Sequence, residues 1–170
     1  MNIIYFIGFM GAGKTTIGKQ LASEHNINFI DIDKEIELTT NNSVLGIFQK
    51  YGEDHFREIE TKTLINIPKN NIVSCGGGLP VYNNNMEFIK KNGMSIYLKA
   101  SEEEIFIRLS KQNRERPLIQ NKSEKALRIF IKQTLLKREI FYSMADYIIE
   151  TTNTSSNDVL RKINTLPLPF

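Results

Sequence analysis

Residues 8–15 read GFMGAGKT, a full match to the pattern Gly, four residues of any kind, then Gly-Lys-Ser/Thr. The octet follows the apolar, β-rich run Ile3–Ile7 and leads straight into a helical pattern, which is the setting the pattern requires. Glycines at 8, 11 and 13 let the backbone aim its N–H groups inward around an oligophosphate, where Cβ atoms would crowd the anion. The helix beginning near Lys14 adds the positive end of its dipole. Gly11, Ala12, Gly13, Lys14, Thr15 and Thr16 are therefore the candidate nucleotide-binding residues. Lys14 is placed to reach the β and γ oxygens, and the Thr15 hydroxyl to ligate Mg²⁺. These features point to a nucleoside triphosphate.

The rest of the chain suits a strand that feeds a helix through such a loop. Short apolar runs recur at Phe29–Ile32, Ile72–Ser74, Ser95–Leu98 and Tyr147–Ile149, nearly continuous as strands buried on both faces should be. Helical spacing occupies Thr15–His25, Asp54–Ile65, Lys125–Met144 and Ser155–Ile163. Ser101 and Glu104 form a capping-box pattern that opens another helix. Five strands alternating with helices imply parallel pairing through right-handed crossovers, hence a three-layer α/β/α fold with a five-stranded parallel sheet. At 170 residues the chain accommodates a single domain, 1–170, rather than two full ones. Thr39–Ser43 and Asn83–Asn85 read as turns. QNRERPLIQNKS, residues 112–123, is a basic loop of the length expected of a lid.

Charge and composition narrow the function further. The 22 basic and 19 acidic residues give a net charge of +3 with no polybasic stripe, so no nucleic-acid partner is expected. The run Ile3–Ala12 is about half of the roughly 20 residues a membrane span needs, so no membrane association is expected. With Cys75 as the only cysteine no internal disulfide can form, and a reducing cytoplasm is the expected compartment. Cys75 reads as a buried filler, and His25 and His55 as helix-end or surface residues. NKSE at 121–124 departs from the guanine-reading NKxD pattern at its last position and follows a loop, which argues against a GTPase.

Acceptor chemistry is suggested at four places. In Asp31-Ile32-Asp33, alternation along an extended chain sends both carboxylates to one side at the strand's C-terminal end, where open α/β sheets bind ligands. Asp31 could then hold Mg²⁺ through water. Asp33 could grip an acceptor hydroxyl and take its proton, or cap the helix starting near Lys34, or both. Arg57 and Glu60 lie three apart on one helix face and can pair. Gly76-Gly77-Gly78 closes the third strand and marks a close approach or a sharp turn. Arg116 and Arg138 add forked donors suited to carboxylates and phosphates. A kinase for a small carboxylated alcohol would need about this inventory.

Taken in order, GFMGAGKTT at 8–16, DID at 31–33, FREIE at 56–60, GGG at 76–78, RP at 116–117 and REIFYSMADYIIE at 138–150 resemble the shikimate kinase family over nearly the whole chain. The resemblance implies a monomeric P-loop kinase that uses ATP and Mg²⁺, the metal held by Thr15 and Asp31, and shikimate as acceptor. It implies an acceptor-binding segment at about 33–61 and catalytic roles for Asp33, Lys14 and Arg116. Asp33, Arg57, Glu60, Gly76, Gly77, Gly78 and Arg138 would bind shikimate, with Arg57 and Arg138 on its carboxylate and Glu60 orienting Arg57. Phe48 and Phe56 would line the pocket, Arg116 would come from the lid, and Arg108 would lie on the nucleotide side. The family often places a basic residue and a proline near adenine after the last strand. This chain has TTNTSSND at 151–158 instead, which leaves that contact to backbone groups. The rival readings are a P-loop kinase for gluconate or a nucleoside monophosphate, and a non-catalytic ATP-binding regulator.

Overall fold

A computed structural model describes residues 3–111 and 117–170. Its first strand, β1 (Ile3–Ile7), is buried at every position. Successive side chains of a strand point to opposite faces. Ile3, Tyr5 and Ile7 accordingly enter one apolar cluster, and Ile4 and Phe6 enter a second on the other side. A strand with two cores needs helices on both faces, and the remaining elements supply them. In chain order these are α1 (Lys14–His25), β2 (Asn28–Asp31), α2 (Ile32–Thr40), α3 (Val44–Ile65), β3 (Asn71–Ser74), α4 (Asn85–Asn92), β4 (Met94–Lys99), α5 (Glu102–Lys111), α6 (Glu124–Tyr142), β5 (Tyr147–Glu150) and α7 (Ser156–Asn164). The sheet has the order β2-β3-β1-β4-β5 and every pair is parallel.

Helices α1 and α7 cover one face with Ile17, Leu21, Val159, Leu160 and Ile163. The other face takes Ile36, Ile47, Phe56, Leu64, Ile105, Leu109, Leu127, Ile131 and Leu135 from α2, α3, α5 and α6. The closing residues pack, with Leu166 and Leu168 against the α1/α7 cluster and the Phe170 ring 5.0 Å from His25. Among the described residues no helix is long and apolar enough to cross a membrane.

Several expected boundaries shift for identifiable reasons. Extended backbone ends at Asp31, and Ile32 and Asp33 already belong to the first turn of α2. The Asp31/Asp33 pair therefore is not the strand alternation inferred from the sequence. Asp31 occupies the N-cap position without a side-chain cap bond, so Asp33 is not the cap either. The helix predicted from Asp54 begins ten residues earlier, at Val44, and is interrupted at Gly52, whose φ of 84° and ψ of 173° no helix accommodates. The stretch Asn83–Asn85 is a turn only at Asn83 and Asn84, both at positive φ, because Asn85 starts α4, which periodicity had not revealed. At α5 the Ser101 hydroxyl accepts from the Glu104 N–H at 3.2 Å, but the reciprocal half of the capping box is absent. Glu104 instead binds Arg108, and the Ser101 N–H donates to Thr152 Oγ1 at 2.8 Å.

Asparagine, which tolerates left-handed backbone better than other non-glycine residues, supplies many of the turns: Asn26 and Asn41 end α1 and α2 with φ of 54° and 50°. Asn121 has φ of 60°, a turn role that accounts for the NKSE sequence without a base contact. Of the proposed lid, residues 117–123 are turn and coil with Ile119 buried in the core, and residues 112–116, including Arg116, lie outside the described residues.

Glycine 18 gives a test of helix-on-sheet packing. A Cβ there would stand 2.5 Å from Cε2 of Phe29. Alanine gains about 1 kcal/mol in helix propensity over glycine, whereas overpacking costs about 1–3 kcal/mol. Gly18→Ala should therefore lower stability by about 1 kcal/mol in urea unfolding despite the better helix former.

Candidate active site

The C-terminal ends of β1, β2 and β3 open into one cavity of about 970 Å³. Residues 10–17 line one end of it. Asp33, Phe48, Phe56, Arg57, Glu60, the glycine turn and Arg138 line the other. At the phosphate end the loop makes its turn with Gly8, Gly11 and Gly13 at φ of 136°, 82° and 100°. A Cβ on Gly8 would lie 2.6 Å from the Leu98 carbonyl oxygen, so this glycine is required by space as well as by conformation. Lys14 Nζ donates to the carbonyls of Gly8 and Phe9 at 2.8 and 2.9 Å, which holds the ammonium over the loop.

Thr15 Oγ1 donates to Asp31 Oδ2 at 2.7 Å and lies 3.4 Å from Ser74 Oγ. Two hydroxyls and a carboxylate at the loop's edge are the hard oxygen donors that Mg²⁺ prefers, and so few protein oxygens suit a metal bound mainly through phosphates. Ser74, the last residue of β3, was not anticipated; its position one residue before Cys75 and the glycine turn was the available signal. Arg108 ties this end together, its Nη1 donating to the Gly11 carbonyl at 3.1 Å, Nη2 to the Thr151 carbonyl at 2.9 Å and Nε to Glu104 at 2.8 Å. Thr151, Thr154 and Ser156, from the TTNTSSND segment, also line the cavity.

The other end of the cavity is built around a buried ion pair. Arg57 and Glu60 are only 4% and 1% exposed, and Arg57 Nη1 donates to Glu60 Oε2 at 2.6 Å. The Gly76–Gly78 turn presses on both. A Cβ on Gly76 would fall 2.0 Å from Glu60 Oε1 and 3.1 Å from Asp33 Oδ1, and one on Gly78 would fall 2.5 Å from Arg57 Cζ. Here the glycines are demanded by the ion pair and by Asp33. The Arg57 guanidinium faces the rings of Tyr82, Phe56 and Phe48 at 4.9, 5.3 and 6.0 Å, a setting in which cation–π attraction adds to charge pairing.

Arg138, 8% exposed, approaches from α6 and lies 5.8 Å from the Phe9 ring centre. Its Nη1 is buried and finds no hydrogen-bond partner among the described residues, and the same holds for Glu60 Oε1. One turn further along α6, the Tyr142 hydroxyl donates to the Gly77 carbonyl at 2.5 Å and so fixes the turn beside Arg138. Tyr142 was missed, although its spacing of four from Arg138 places the two on one helix face.

Burial pushes the Glu60 carboxyl up to about 7; Arg57 pulls the other way, and Asp33 adds to the rise. Burial outweighs the pull of Arg57, whose guanidinium also donates to Glu53 from Nη2 at 2.8 Å and Nε at 3.2 Å. Burial also raises the Cys75 thiol, which is fully buried, so this cysteine is the inert filler expected. His25 bonds Asn164 at 2.9 Å and His55 stacks near Tyr51 at 4.9 Å, both away from the cavity. Among the described residues no group of three or more His, Cys, Asp or Glu could hold a metal by itself.

A glycine-built phosphate loop and two buried arginines lining one cavity at a parallel sheet's edge define a P-loop phosphotransferase for a small anionic acceptor. The family model described as shikimate kinase matches residues 10–166. The chain is 40% identical over 166 residues to a shikimate kinase of Azobacteroides pseudotrichonymphae, covering 96% of this chain and 98% of that one. It is 41% identical to one of Thermodesulfovibrio yellowstonii, covering 96% and 93%. The crystal structure of the Bacteroides thetaiotaomicron shikimate kinase superposes with a TM-score of 0.90 at 35% identity, covering 96% of this chain and 97% of that one. The Acinetobacter baumannii enzyme in complex with shikimate superposes with 0.89 at 34%, covering 97% and 92%. This chain belongs to the shikimate kinase family.

The Glu60 shift has a measurable consequence. A carboxyl whose folded pKa of about 7 exceeds its ordinary 4.5 binds its proton more tightly in the folded state. Its contribution to stability is complete below about pH 4.5 and is lost as pH rises through about 7. In unfolding measurements from pH 5 to 8 the wild type should lose stability relative to Glu60→Gln as pH rises; parallel profiles would show that Glu60 does not titrate in this range.

Proposed function

We propose that this protein transfers the γ-phosphoryl group of ATP to the 3-hydroxyl of shikimate, giving shikimate 3-phosphate and ADP. The observation that carries the reading is that Arg138, whose buried Nη1 has no hydrogen-bond partner among the described residues, lines the same cavity as the Arg57 pair and the phosphate loop. An acceptor carboxylate would satisfy it. Charge-assisted bonds to a guanidinium contribute about 1.5–3 kcal/mol each, enough to hold a small polar molecule in register.

In the proposed reaction the acceptor carboxylate lies on Arg57 and Arg138, and its ring rests beside Phe48 and Phe56. Asp33 aligns the 3-hydroxyl and takes its proton as the new O–P bond forms and the bond from γ-phosphorus to the β–γ bridging oxygen breaks. Lys14 leaves the Gly8 and Phe9 carbonyls for the phosphate oxygens, and the loop amides receive the charge that moves toward the bridging oxygen. Mg²⁺, held through Thr15 and Asp31, would neutralise charge on the phosphates. Arg116 would contribute from the lid, and closure of 112–123 would keep water from the γ-phosphate. Orientation by two arginines and one aspartate supplies much of the rate, since positioning alone accounts for about 7–11 kcal/mol in well-oriented reactions. We place the enzyme in the cytoplasm as a monomer.

The reading is tested by coupled ADP release with shikimate, gluconate, CMP or no acceptor. Release that depends on shikimate alone is expected. Stimulation by gluconate or CMP would assign the site to another small-molecule kinase, and no stimulation by any of them would leave an ATP-binding regulator. Arg57→Ala should chiefly weaken shikimate binding, on the order of 10- to 100-fold for a lost charge-assisted contact; unchanged affinity by calorimetry would remove Arg57 from the acceptor site. Arg116→Ala should lower turnover far more than it weakens shikimate binding, and near-normal turnover would end its lid role.

A further inference from the structure

Two carboxylates, not one, hold Arg57. Glu60 takes Nη1, while a single oxygen of Glu53, Oε1, accepts from both Nε and Nη2. The second carboxylate adds geometry, because it takes the Nε edge of the guanidinium that Glu60 leaves open. It also adds constancy, because burial brings the Glu60 carboxyl close to neutral titration.

Glu53 differs from an ordinary surface pair partner in three respects. Its side chain is 37% exposed, but the guanidinium it binds is 5% exposed, so one end of the bond is anchored in the interior. It is the first residue after the break at Gly52, whose non-helical backbone separates the half of α3 that carries Phe48 from the half that carries Phe56, Arg57 and Glu60. It also meets a residue from outside α3: Tyr82, just past the glycine turn, puts its hydroxyl 3.5 Å from Glu53 Oε1 and its ring 4.9 Å from Arg57 Cζ. Glu53 itself does not line the cavity. It grips Arg57 from behind.

A guanidinium has five N–H donors. Three of Arg57's are engaged among the described residues, by Glu53 and Glu60, which leaves one N–H on each terminal nitrogen. We propose that Glu53 is a positioning residue for the acceptor: by occupying the Nε edge of Arg57 it fixes the guanidinium so that its remaining terminal donors meet the acceptor's carboxylate. Glu53 acts only through Arg57 and takes no part in phosphoryl transfer. The inference rests on the shikimate-phosphorylating reading above.

Steady-state kinetics on the full chain test it. Glu53→Ala should raise the KM for shikimate roughly tenfold, the loss of one partly exposed charge-assisted contact, with kcat and the KM for ATP within about twofold of wild type. Glu53→Gln keeps the size of the side chain and an accepting oxygen, and should fall between the two. The deciding measurement is the double variant. In an Arg57→Ala background, Glu53→Ala should leave shikimate affinity by calorimetry unchanged, because the residue it positions is gone. A further loss of affinity there would make Glu53 a structural residue and overturn the proposal, and so would an unchanged KM in folded Glu53→Ala and Glu53→Gln. A wild type that shows no shikimate-dependent ADP release would instead sink the functional reading, which keeps the two failures apart.

Discussion

The buried Arg57–Glu60 pair is the interaction around which one end of the cavity is arranged. Ions removed from water are costly, and a 2.6 Å contact offsets that cost only when the remaining donors and acceptors are also managed. The chain manages them with Glu53 and the aromatic rings on Arg57, and with a turn that has no side chains of its own. Any residue larger than glycine at 76 or 78 would occupy the space of the Glu60 carboxyl or the Arg57 guanidinium. The break in α3 at Gly52 falls between Phe48 and Arg57, which line the same cavity.

The phosphate half follows a complementary logic. There the glycine-built backbone lines the cavity, and side chains keep it in shape. Lys14 closes the loop on its own carbonyls, Arg108 ties Gly11 to Thr151 on the segment after β5, and Thr15 reaches Asp31 on the neighbouring connection. These bonds join loops that the parallel sheet delivers to a single edge. With the strand order β2-β3-β1-β4-β5, the loop after β1 lies beside the ends of β3 and β4, and Gly76–Gly78 follows β3. The glycine loop and the Gly76–Gly78 turn are thus neighbours by topology.

Much of this was legible in the chain. The phosphate loop, the five strands, the Arg57–Glu60 spacing and the Gly76–Gly78 cluster were each readable because their physical causes are local: backbone conformation, two-sided burial and helical periodicity. Helix α4 and the first half of α3 were not, because each is short and its start lies in an asparagine-containing polar segment that resembles a turn. Asp31 and Asp33 were found for the wrong reason. They line the cavity although the chain turns helical between them.

The sequence alone determined the class of chemistry, since a glycine-lined anion loop with its lysine and threonine is specified by contiguous residues whose conformational needs are their own. Tertiary structure decided which ionised groups work together. Glu53, Ser74, Tyr82 and Tyr142 carry no signature in isolation, and their roles arise from meeting Arg57, Thr15 or the glycine turn across the fold. Whether a charged side chain serves as a solvated surface group or as part of a binding site depends on its burial and its partners, and these exist only once the chain has folded.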